Sequence, residues 1–167
     1  MSDKTYIPEG QTAPASQIGA TLEALAATID ARRDAGEESY TYSLLSGSPD
    51  KVLKKVMEEA GEVVLAAKDV ESWATSSLAA AIAFESAQAQ EVVDPECLAV
   101  QLPSEYEQAV DHLRYEAADV VYHLMVVLAR YGVSIDEFAA ELNNRMTEAE
   151  RPEGAIRLRE ENVQRGK

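Results

Sequence analysis

The sequence predicts an all-α protein of four to five helices. Apolar residues recur at spacings of three and four along most of the chain, which is the period of an amphipathic helix. Alternating runs of β-branched residues joined by tight turns are not found in the sequence. The chain also has only 8 glycines and 6 prolines in 167 residues, fewer than a turn-rich all-β fold needs. We therefore expect a single helical domain over residues 1–167.

The N-terminal part of the chain predicts one helix between two irregular segments. Residues 1–14 have no apolar period and are expected to form a loose arm. Ser16 is a suitable N-cap for the first helix, and Gly36 is a suitable stop after it. Residues 37–47 are expected to form a connector, because no helical period continues through them.

Two further helices are predicted in the middle of the chain. Ser48 as the cap and Pro49 at the first helical position begin the second helix, which continues to about Asp69. The alanine-rich stretch that follows predicts a separate helix ending near Asp94, because Pro95 disfavours helical backbone in the residue before it.

The C-terminal part predicts two more helices. The longest predicted helix begins at Ser104 and ends before Gly132, a residue that readily adopts the left-handed backbone of a helix stop. Ser134 and Glu137 have the spacing of a capping box, which predicts the start of the last helix. Residues 147–167 form a charged tail.

Charge and composition exclude several classes of protein. The net charge of −15 argues against a broad nucleic-acid-binding face. No run of about 18 apolar residues indicates a membrane span, so no membrane partner is expected. The segment that begins at Met1 lacks the apolar core of a signal peptide, so we expect a cytoplasmic location. The single cysteine, Cys97, cannot form a disulfide within the chain.

Two acidic pairs stand out against the helical periods. Glu59 and Glu62 are one turn apart on the second helix, and Glu116 and Asp119 are one turn apart on the long helix. On a helical wheel, Glu59 and Glu116 each fall about 20° beyond an apolar arc. The arc of the second helix comprises Val52, Val56, Ala60, Val63 and Ala67. The arc of the long helix comprises Leu113, Ala117, Val120, Val121, Leu124, Val127 and Leu128.

Packing these two helices together would bring four carboxylates into partial burial. Carboxylates that close cannot all remain ionised without compensation, which a divalent cation can supply. Ligands that are all oxygen favour Mg²⁺, Mn²⁺ or Ca²⁺ over zinc, and Mg²⁺ commonly completes its shell with substrate phosphates. The alternative is that each pair lies on a solvated helix face. A di-iron bundle is disfavoured, because it requires Glu-x-x-His motifs that the sequence lacks.

Lysines accompany the first acidic pair. Lys51, Lys54 and Lys55 precede it and Lys68 follows it, so they can either hold substrate phosphates or pair with glutamates four residues away. The single Trp73 and the seven tyrosines are scattered, and no stacking platform is predicted from them. The apolar run at residues 120–128 indicates a helix covered on more than one side, which predicts a homodimer built on it.

Several blocks of the sequence resemble the phosphoribosyl-ATP pyrophosphatase family. They are Ser-Tyr-Thr at 39–41, Lys-Val-x-Glu-Glu-Ala-x-Glu-Val from Lys55, Ala-Ala-Lys-Asp at 66–69, and the stretch from Tyr115 through Arg145. The acidic pairs alone are shared with the wider MazG-like superfamily of all-α nucleotide pyrophosphatases.

The resemblance implies a MazG-like helical bundle completed by homodimerisation. It also implies Mg²⁺-dependent cleavage of the α–β phosphoanhydride of phosphoribosyl-ATP, giving phosphoribosyl-AMP and pyrophosphate in the second step of histidine biosynthesis. The residues matching the family's metal-binding acids are Glu59, Glu62, Glu116 and Asp119. Glu58 matches an adjacent glutamate that is a candidate base or ligand of a second metal. The expected substrate-binding residues are Lys51, Lys55, Lys68, Ser39, Tyr40 and Thr41.

One departure from the family keeps other functions open. Fifty-three residues separate Glu62 from Glu116, where the family has a short connection, so we regard the segment at about 71–111 as an insertion. The insertion is compatible with the fold, because lengthening a helix–helix connection adds little closure entropy. It nevertheless leaves open a MazG-like house-cleaning pyrophosphohydrolase of free nucleoside triphosphates. A further alternative is a non-catalytic acidic helical oligomerisation module.

Overall fold

The protein is all-α, as predicted. The structure, a computed structural model, describes residues 4–89, 94–95 and 98–163, and over these residues it contains no strand. Within these ranges the α-helices are α1 (Gln17–Ala31), α2 (Tyr40–Ser46), α3 (Pro49–Ala89), α4 (Ser104–Arg130) and α5 (Ile135–Arg145). A short 3₁₀ turn at Arg32–Asp34 directly follows α1, and another lies in the C-terminal tail at Glu160–Asn162. Cys97 lies outside the described residues.

The first helix begins and ends where the sequence predicts. The Ser16 hydroxyl oxygen accepts a hydrogen bond from the backbone N–H of Gly19 at 3.1 Å, which satisfies one of the free donors of the first turn. After the 3₁₀ turn, Gly36 has a φ of 80°, a left-handed backbone that favours glycine. The predicted helix and its stop are therefore confirmed.

The prediction of an irregular connector at residues 37–47 is wrong, because most of it forms the short helix α2. The Ser39 hydroxyl oxygen accepts a hydrogen bond from the backbone N–H of Tyr42 at 3.3 Å and so caps the helix. Leu44 is fully buried. A helix of 7 residues has too little sequence to display a period, and its burial in the tertiary structure stabilises it.

The helix predicted to end near Asp69 and the separate alanine-rich helix after it are one continuous helix, α3, of 41 residues. The physical reason is that neither glycine nor proline occurs between Gly61 and Ala89, and alanine is the best helix former. The part of the chain that we assigned to an insertion therefore extends α3, and its later residues begin α4. With 27 residues, α4 is not the longest helix, contrary to the prediction.

The end of α4 and the start of α5 are confirmed in detail. Gly132 has a φ of 73°, and the N–H of Val133 donates to the carbonyl of Leu128 at 2.9 Å, which closes α4 in a Schellman motif. The hydroxyl oxygen of Ser134 accepts from the N–H of Glu137, while the Glu137 carboxylate accepts from the N–H of Ser134. This reciprocal pair is the predicted capping box.

The chain divides into two compact units. We call residues 1–49 with 125–167 the terminal unit, and residues 50–124 the central unit. In the terminal unit, an arginine at the end of α4 holds the end of α2. The Arg130 guanidinium donates to the backbone carbonyls of Leu44, Leu45 and Gly47 at 2.6–2.7 Å. These bonds satisfy carbonyls that have no partner within a helix that ends there.

Part of the charged tail contacts α5 within the same terminal unit. The Arg151 side chain donates to the carbonyl of Asn143 at 2.8 Å, and the Asn143 side chain donates to the carbonyl of Ile156 at 2.8 Å. These bonds attach the tail segment that follows α5 to the last turn of that helix.

The side of α3 that is buried in the central unit is rotated about the helix axis from the apolar arc that the sequence predicted. Val52, Glu59 and Ala66 are the buried positions, at intervals of seven residues, whereas Ala60 and Ala67 are exposed. Glu59 therefore lies on the buried line itself and not at its edge. The predicted arc is centred on apolar residues, because periodicity alone gives no reason to expect a carboxylate in the interior.

The same shift occurs on α4. Ala109, Glu116 and His123 are buried at intervals of seven, whereas Ala117 and Val121, predicted in the core arc, are exposed. Both long helices of the central unit thus carry a glutamate in the middle of their buried lines.

In the part of the chain that the structure describes, no single helix is long and apolar enough to cross a membrane. Only α4 and α5 taken together, as a bent pair, meet that test, and they do so by length and composition alone.

Candidate metal centre

Three carboxylates from two helices meet in the central unit. Glu59 and Glu62 project from successive turns of α3, and Glu116 projects from α4. One oxygen from each of the three carboxylates lies within 4.8 Å of the other two. Glu59 and Glu116 are 5% and 6% exposed, whereas Glu62 is exposed to solvent. The cluster therefore has a buried floor and an open side.

The fourth predicted ligand lies beside this cluster. Asp119 is half-buried, one turn after Glu116 on α4, and is outside the group of three whose oxygens approach within 4.8 Å. Its backbone carbonyl is 2.9 Å from the Nδ1 atom of His123. The same Nδ1 atom is 3.8 Å from a carboxylate oxygen of Glu59. His123 is thus buried, with its Nδ1 atom beside the Asp119 carbonyl, and it also contributes to the surroundings of Glu59.

A lysine stabilises the charge of the most buried carboxylate. The Lys55 ammonium is 2.9 Å from Glu59 and 3.4 Å from Glu58. The hydrogen bond from Lys55 holds the pKa of Glu59 below its usual value, against the opposing effect of burial. Reciprocally, the bond to Glu59 raises the pKa of Lys55. The ion pair with Lys55 thus favours the charged form of Glu59 in the interior. Lys55 also confirms one alternative raised from the sequence, that a lysine of this group pairs with a glutamate four residues away.

The exposed member of the cluster is perturbed in the opposite direction. The pKa of Glu62 is raised, first because its carboxyl shares a hydrogen bond with Glu59, and further by desolvation and by the charge of Glu116. The shift reflects three acidic groups crowded into one place with little positive charge among them. Such a site favours either a proton or a cation.

The remaining predicted residues are more dispersed. Glu58 lies on α3 within 3.4 Å of the Lys55 ammonium, at the edge of the cluster. Lys68 forms an ion pair with Glu71, both exposed, and Lys51 is exposed in the first turn of α3. The Ser-Tyr-Thr residues at 39–41 belong to the terminal unit, where they form the start of α2.

One contact at the cluster was not predicted. The Nε2 atom of His112 is 2.9 Å from a carboxylate oxygen of Glu116. The His112 side chain is otherwise largely exposed. The spacing of four residues between His112 and Glu116 is the signal that could have found the contact, because positions four apart share a helix face.

The donor set fits a hard divalent cation. All three converging ligands are carboxylate oxygens, which are the donors that Mg²⁺ and Ca²⁺ select. Because Mg²⁺ usually takes only a few carboxylates and completes its shell with water and substrate phosphates, three carboxylates with an open side suit it.

Comparisons with known proteins agree with this chemistry. Residues 22–146 match the family model of phosphoribosyl-ATP pyrophosphohydrolase. The chain is 35% identical over 137 residues to a phosphoribosyl-ATP pyrophosphatase of Paracidovorax citrulli, covering 80% of this chain and 75% of that protein. It is 33% identical over 141 residues to phosphoribosyl-ATP pyrophosphatase 1 of Rhodopseudomonas palustris, covering 84% of this chain and 96% of that protein. No solved structure matches significantly.

The matched region includes both acidic pairs and runs through the segment at 71–111, so the extended helices lie inside the family domain. The chain therefore belongs to the phosphoribosyl-ATP pyrophosphohydrolase family.

Proposed function

We propose that this protein hydrolyses phosphoribosyl-ATP to phosphoribosyl-AMP and pyrophosphate, the second step of histidine biosynthesis, with Mg²⁺ held by the carboxylates of α3 and α4. The observation that carries the proposal is the convergence of Glu59, Glu62 and Glu116 within 4.8 Å in a member of this family. Family membership makes the chain a hydrolase of a phosphoric anhydride, which argues against the non-catalytic oligomerisation module.

The three converging carboxylates, with Asp119 one turn further on, would hold the cation. Bound magnesium supplies electrostatic stabilisation of the negative charge that develops on the phosphoryl oxygens. Glu59 is suited to hold it because its charge is already maintained in the interior by Lys55. Glu62 is suited because it faces solvent, from which a polyphosphate would approach.

Other side chains would bind the substrate and handle the proton. Glu58, on the solvent side of α3, is the candidate to accept the proton of the attacking water. Lys55 would exchange its glutamate contacts for substrate phosphate, and Lys51 and Lys68 would add positive charge along α3. The hydroxyls of Ser39, Tyr40 and Thr41 are proposed to hydrogen-bond the substrate.

We also propose that the active form is a homodimer, with its interface on α3. Five apolar residues at alternating spacings of four and three form an exposed stripe along this helix, which is the pattern of a paired helix. The stripe comprises Leu53, Met57, Ala60, Val64 and Ala67. The central unit needs a partner, because its described buried positions include two glutamates and a histidine and only one fully buried large apolar side chain, Val52.

The α4 run on which the sequence predicted the dimer is less suitable. Within residues 120–128, Met125 and Val126 are already buried, and Val121 is the exposed member of the run. A second copy seated on the α3 stripe would instead give four long helices around one interior, a stable arrangement for helices of this kind.

Hydrolysis with matched variants tests the activity. Purified protein with Mg²⁺ should release pyrophosphate and phosphoribosyl-AMP from phosphoribosyl-ATP, and a chelator should stop it. Glu62→Gln should lose nearly all of the rate, because it removes one charge from the cation site. Glu85→Gln, an exposed change on the same helix, is the control and should retain it. Full activity in Glu62→Gln would refute the site.

Because α3 and α4 are extended, free nucleoside triphosphates are a second substrate class that must be tested. If the enzyme is a house-cleaning pyrophosphohydrolase, free nucleoside triphosphates should be turned over with a kcat/KM equal to or above that for phosphoribosyl-ATP. A panel of triphosphates, together with rescue of a histidine auxotroph that lacks the pathway enzyme, separates the two.

A further inference from the structure

A groove lies beside the carboxylate cluster in the central unit, along the extended parts of α3 and α4. It has a volume of about 310 Å³, which is at the lower end of the range of small-molecule sites. Its lining residues are Asp69, Trp73, Glu105, Gln108, Ala109 and His112. None of them is among the site residues predicted from the sequence, and Trp73 was not predicted to form a stacking platform.

The groove adjoins the cluster through α4. On α4, His112 lines the groove and also contacts Glu116 at 2.9 Å. On α3, Asp69 and Trp73 follow Glu62 by seven and eleven residues, which is about 10 Å and about 16 Å along the helix axis. The near end of the groove, about 10 Å along α3, is within reach of the base of an extended nucleotide whose phosphates contact the carboxylates.

The groove combines an aromatic face with negative charge. Trp73 is 40% exposed, so its ring is available to a ligand. Within the described residues, the carboxylates of Asp69 and Glu105 have no ion-pair partner. Tryptophan is the best aromatic partner of a cation, and nearby carboxylates strengthen the preference for positive charge. The groove therefore disfavours phosphate and favours a flat cationic group.

The substrate of the proposed function contains such a group. Its adenine carries a ribosyl substituent on N1, and alkylation there turns the ring into an amidine that is readily protonated near neutral pH. The adenine of free ATP lacks this substituent and is neutral. A phosphate chain at the carboxylates would place the charged ring of the first nucleotide, but not of the second, in favourable surroundings.

We propose that the groove at Trp73 binds the cationic, N1-substituted adenine ring of the substrate and so selects it over ordinary adenine nucleotides. Trp73 stacks on the ring, while Asp69 and Glu105 balance its charge. The inference rests on the proposed function, and it assigns to the extended helices the role of determining specificity.

Intrinsic fluorescence tests the groove directly, because Trp73 is the only tryptophan of the chain. The wild-type protein with Mg²⁺ is titrated with N1-methyl-AMP and, separately, with AMP; N-acetyltryptophanamide corrects for light absorbed by the nucleotide. N1-methyl-AMP should change the emission at a concentration about fivefold lower than AMP does. An equal response to both, or none to either, overturns the proposal.

Kinetics test the selectivity. Trp73→Leu should raise the KM for phosphoribosyl-ATP about fivefold and leave kcat within about twofold, because the ring lies away from the reacting phosphates. Trp73→Phe should restore most of the KM, and Glu105→Gln should raise it. Phe84→Leu, which removes an exposed aromatic ring of α3 outside the groove, should change nothing.

An unchanged KM in both Trp73→Leu and Glu105→Gln overturns the groove assignment while the hydrolase activity stands. Absence of turnover by the wild type would instead contradict the proposed function. The fluorescence titration needs no turnover, so the two failures are distinguishable.

Discussion

Glu59 is the most buried carboxylate of the cluster, at 5% exposure. Leaving a carboxylate in the interior costs several kcal/mol unless opposite charge or hydrogen bonds compensate it. Lys55 at 2.9 Å supplies part of that compensation, and the Nδ1 atom of His123 at 3.8 Å adds a weak contribution. The crowding of Glu62 and Glu116 against Glu59 works in the other direction, and a divalent cation would relieve it.

This balance predicts that Mg²⁺ stabilises the fold. At a concentration about tenfold above its Kd, the ion should add about 1.4 kcal/mol to the free energy of unfolding and raise the Tm by a few degrees. Thermal melting with and without a chelator measures the effect. Glu116→Gln should lose most of the shift, whereas Glu71→Gln should keep it. An identical shift in Glu116→Gln would mean that the ion binds elsewhere.

At the level of helices, the N-terminal caps were easier to predict from the sequence than the lengths of the helices. Ser16 and the pair of Ser134 with Glu137 mark helix starts through local hydrogen bonds, and such bonds can be recognised from spacing alone. The sequence predicted neither α2 nor the full length of α3, and the two reasons differ. The first is too short to display a period, and the second has no breaker where its amphipathic pattern weakens.

The capping box of α5 predicts a pH-dependent contribution to stability. Hydrogen bonds from the backbone N–H and hydroxyl of Ser134 lower the pKa of Glu137 in the folded state. The stabilisation is therefore present above the pKa of the unfolded chain and is lost as the pH falls through the lower folded-state pKa. Glu137→Ala should be less stable than the wild type at neutral pH.

The difference between Glu137→Ala and the wild type should shrink as the pH falls into the acid range. Chemical denaturation at a series of pH values measures it. Asp136→Ala, a change at the neighbouring acid of the same first turn, is the matched control and should not reproduce the pH dependence. A difference that stays constant with pH would show that the carboxylate of Glu137 does not act through the cap.

At the scale of the whole molecule, the exposed stripe of α3 is the feature that a single chain does not explain. Met57 is 75% exposed, and the stripe has the spacing of a helix that packs against another. A protein with a net charge of −15 repels its own copies, so association requires an apolar contact of this kind to offset the charge.

The proposed dimer predicts that an aspartate at residue 64 disrupts association, whereas an aspartate at residue 65 does not. Val64→Asp places a charge in the stripe and should convert the dimer to a monomer, as measured by light scattering after size exclusion. Leu65→Asp changes a side chain of similar exposure, 66% against 60%, on another face of α3 and should leave the dimer intact. A monomeric wild type, or no effect of Val64→Asp, would contradict the interface.

The sequence by itself determined the helical class, most helix starts, the family and the acidic pairs, because these depend on spacing and on residue type. Only the tertiary structure decided which side of each helix is buried. That side is centred on Glu59 and Glu116 and not on their apolar neighbours. It also decided that Trp73 shares a groove with Glu105, since residues so far apart in the chain meet only when α3 and α4 pack together. Periodicity is a property of one helix, whereas a binding site is a property of two.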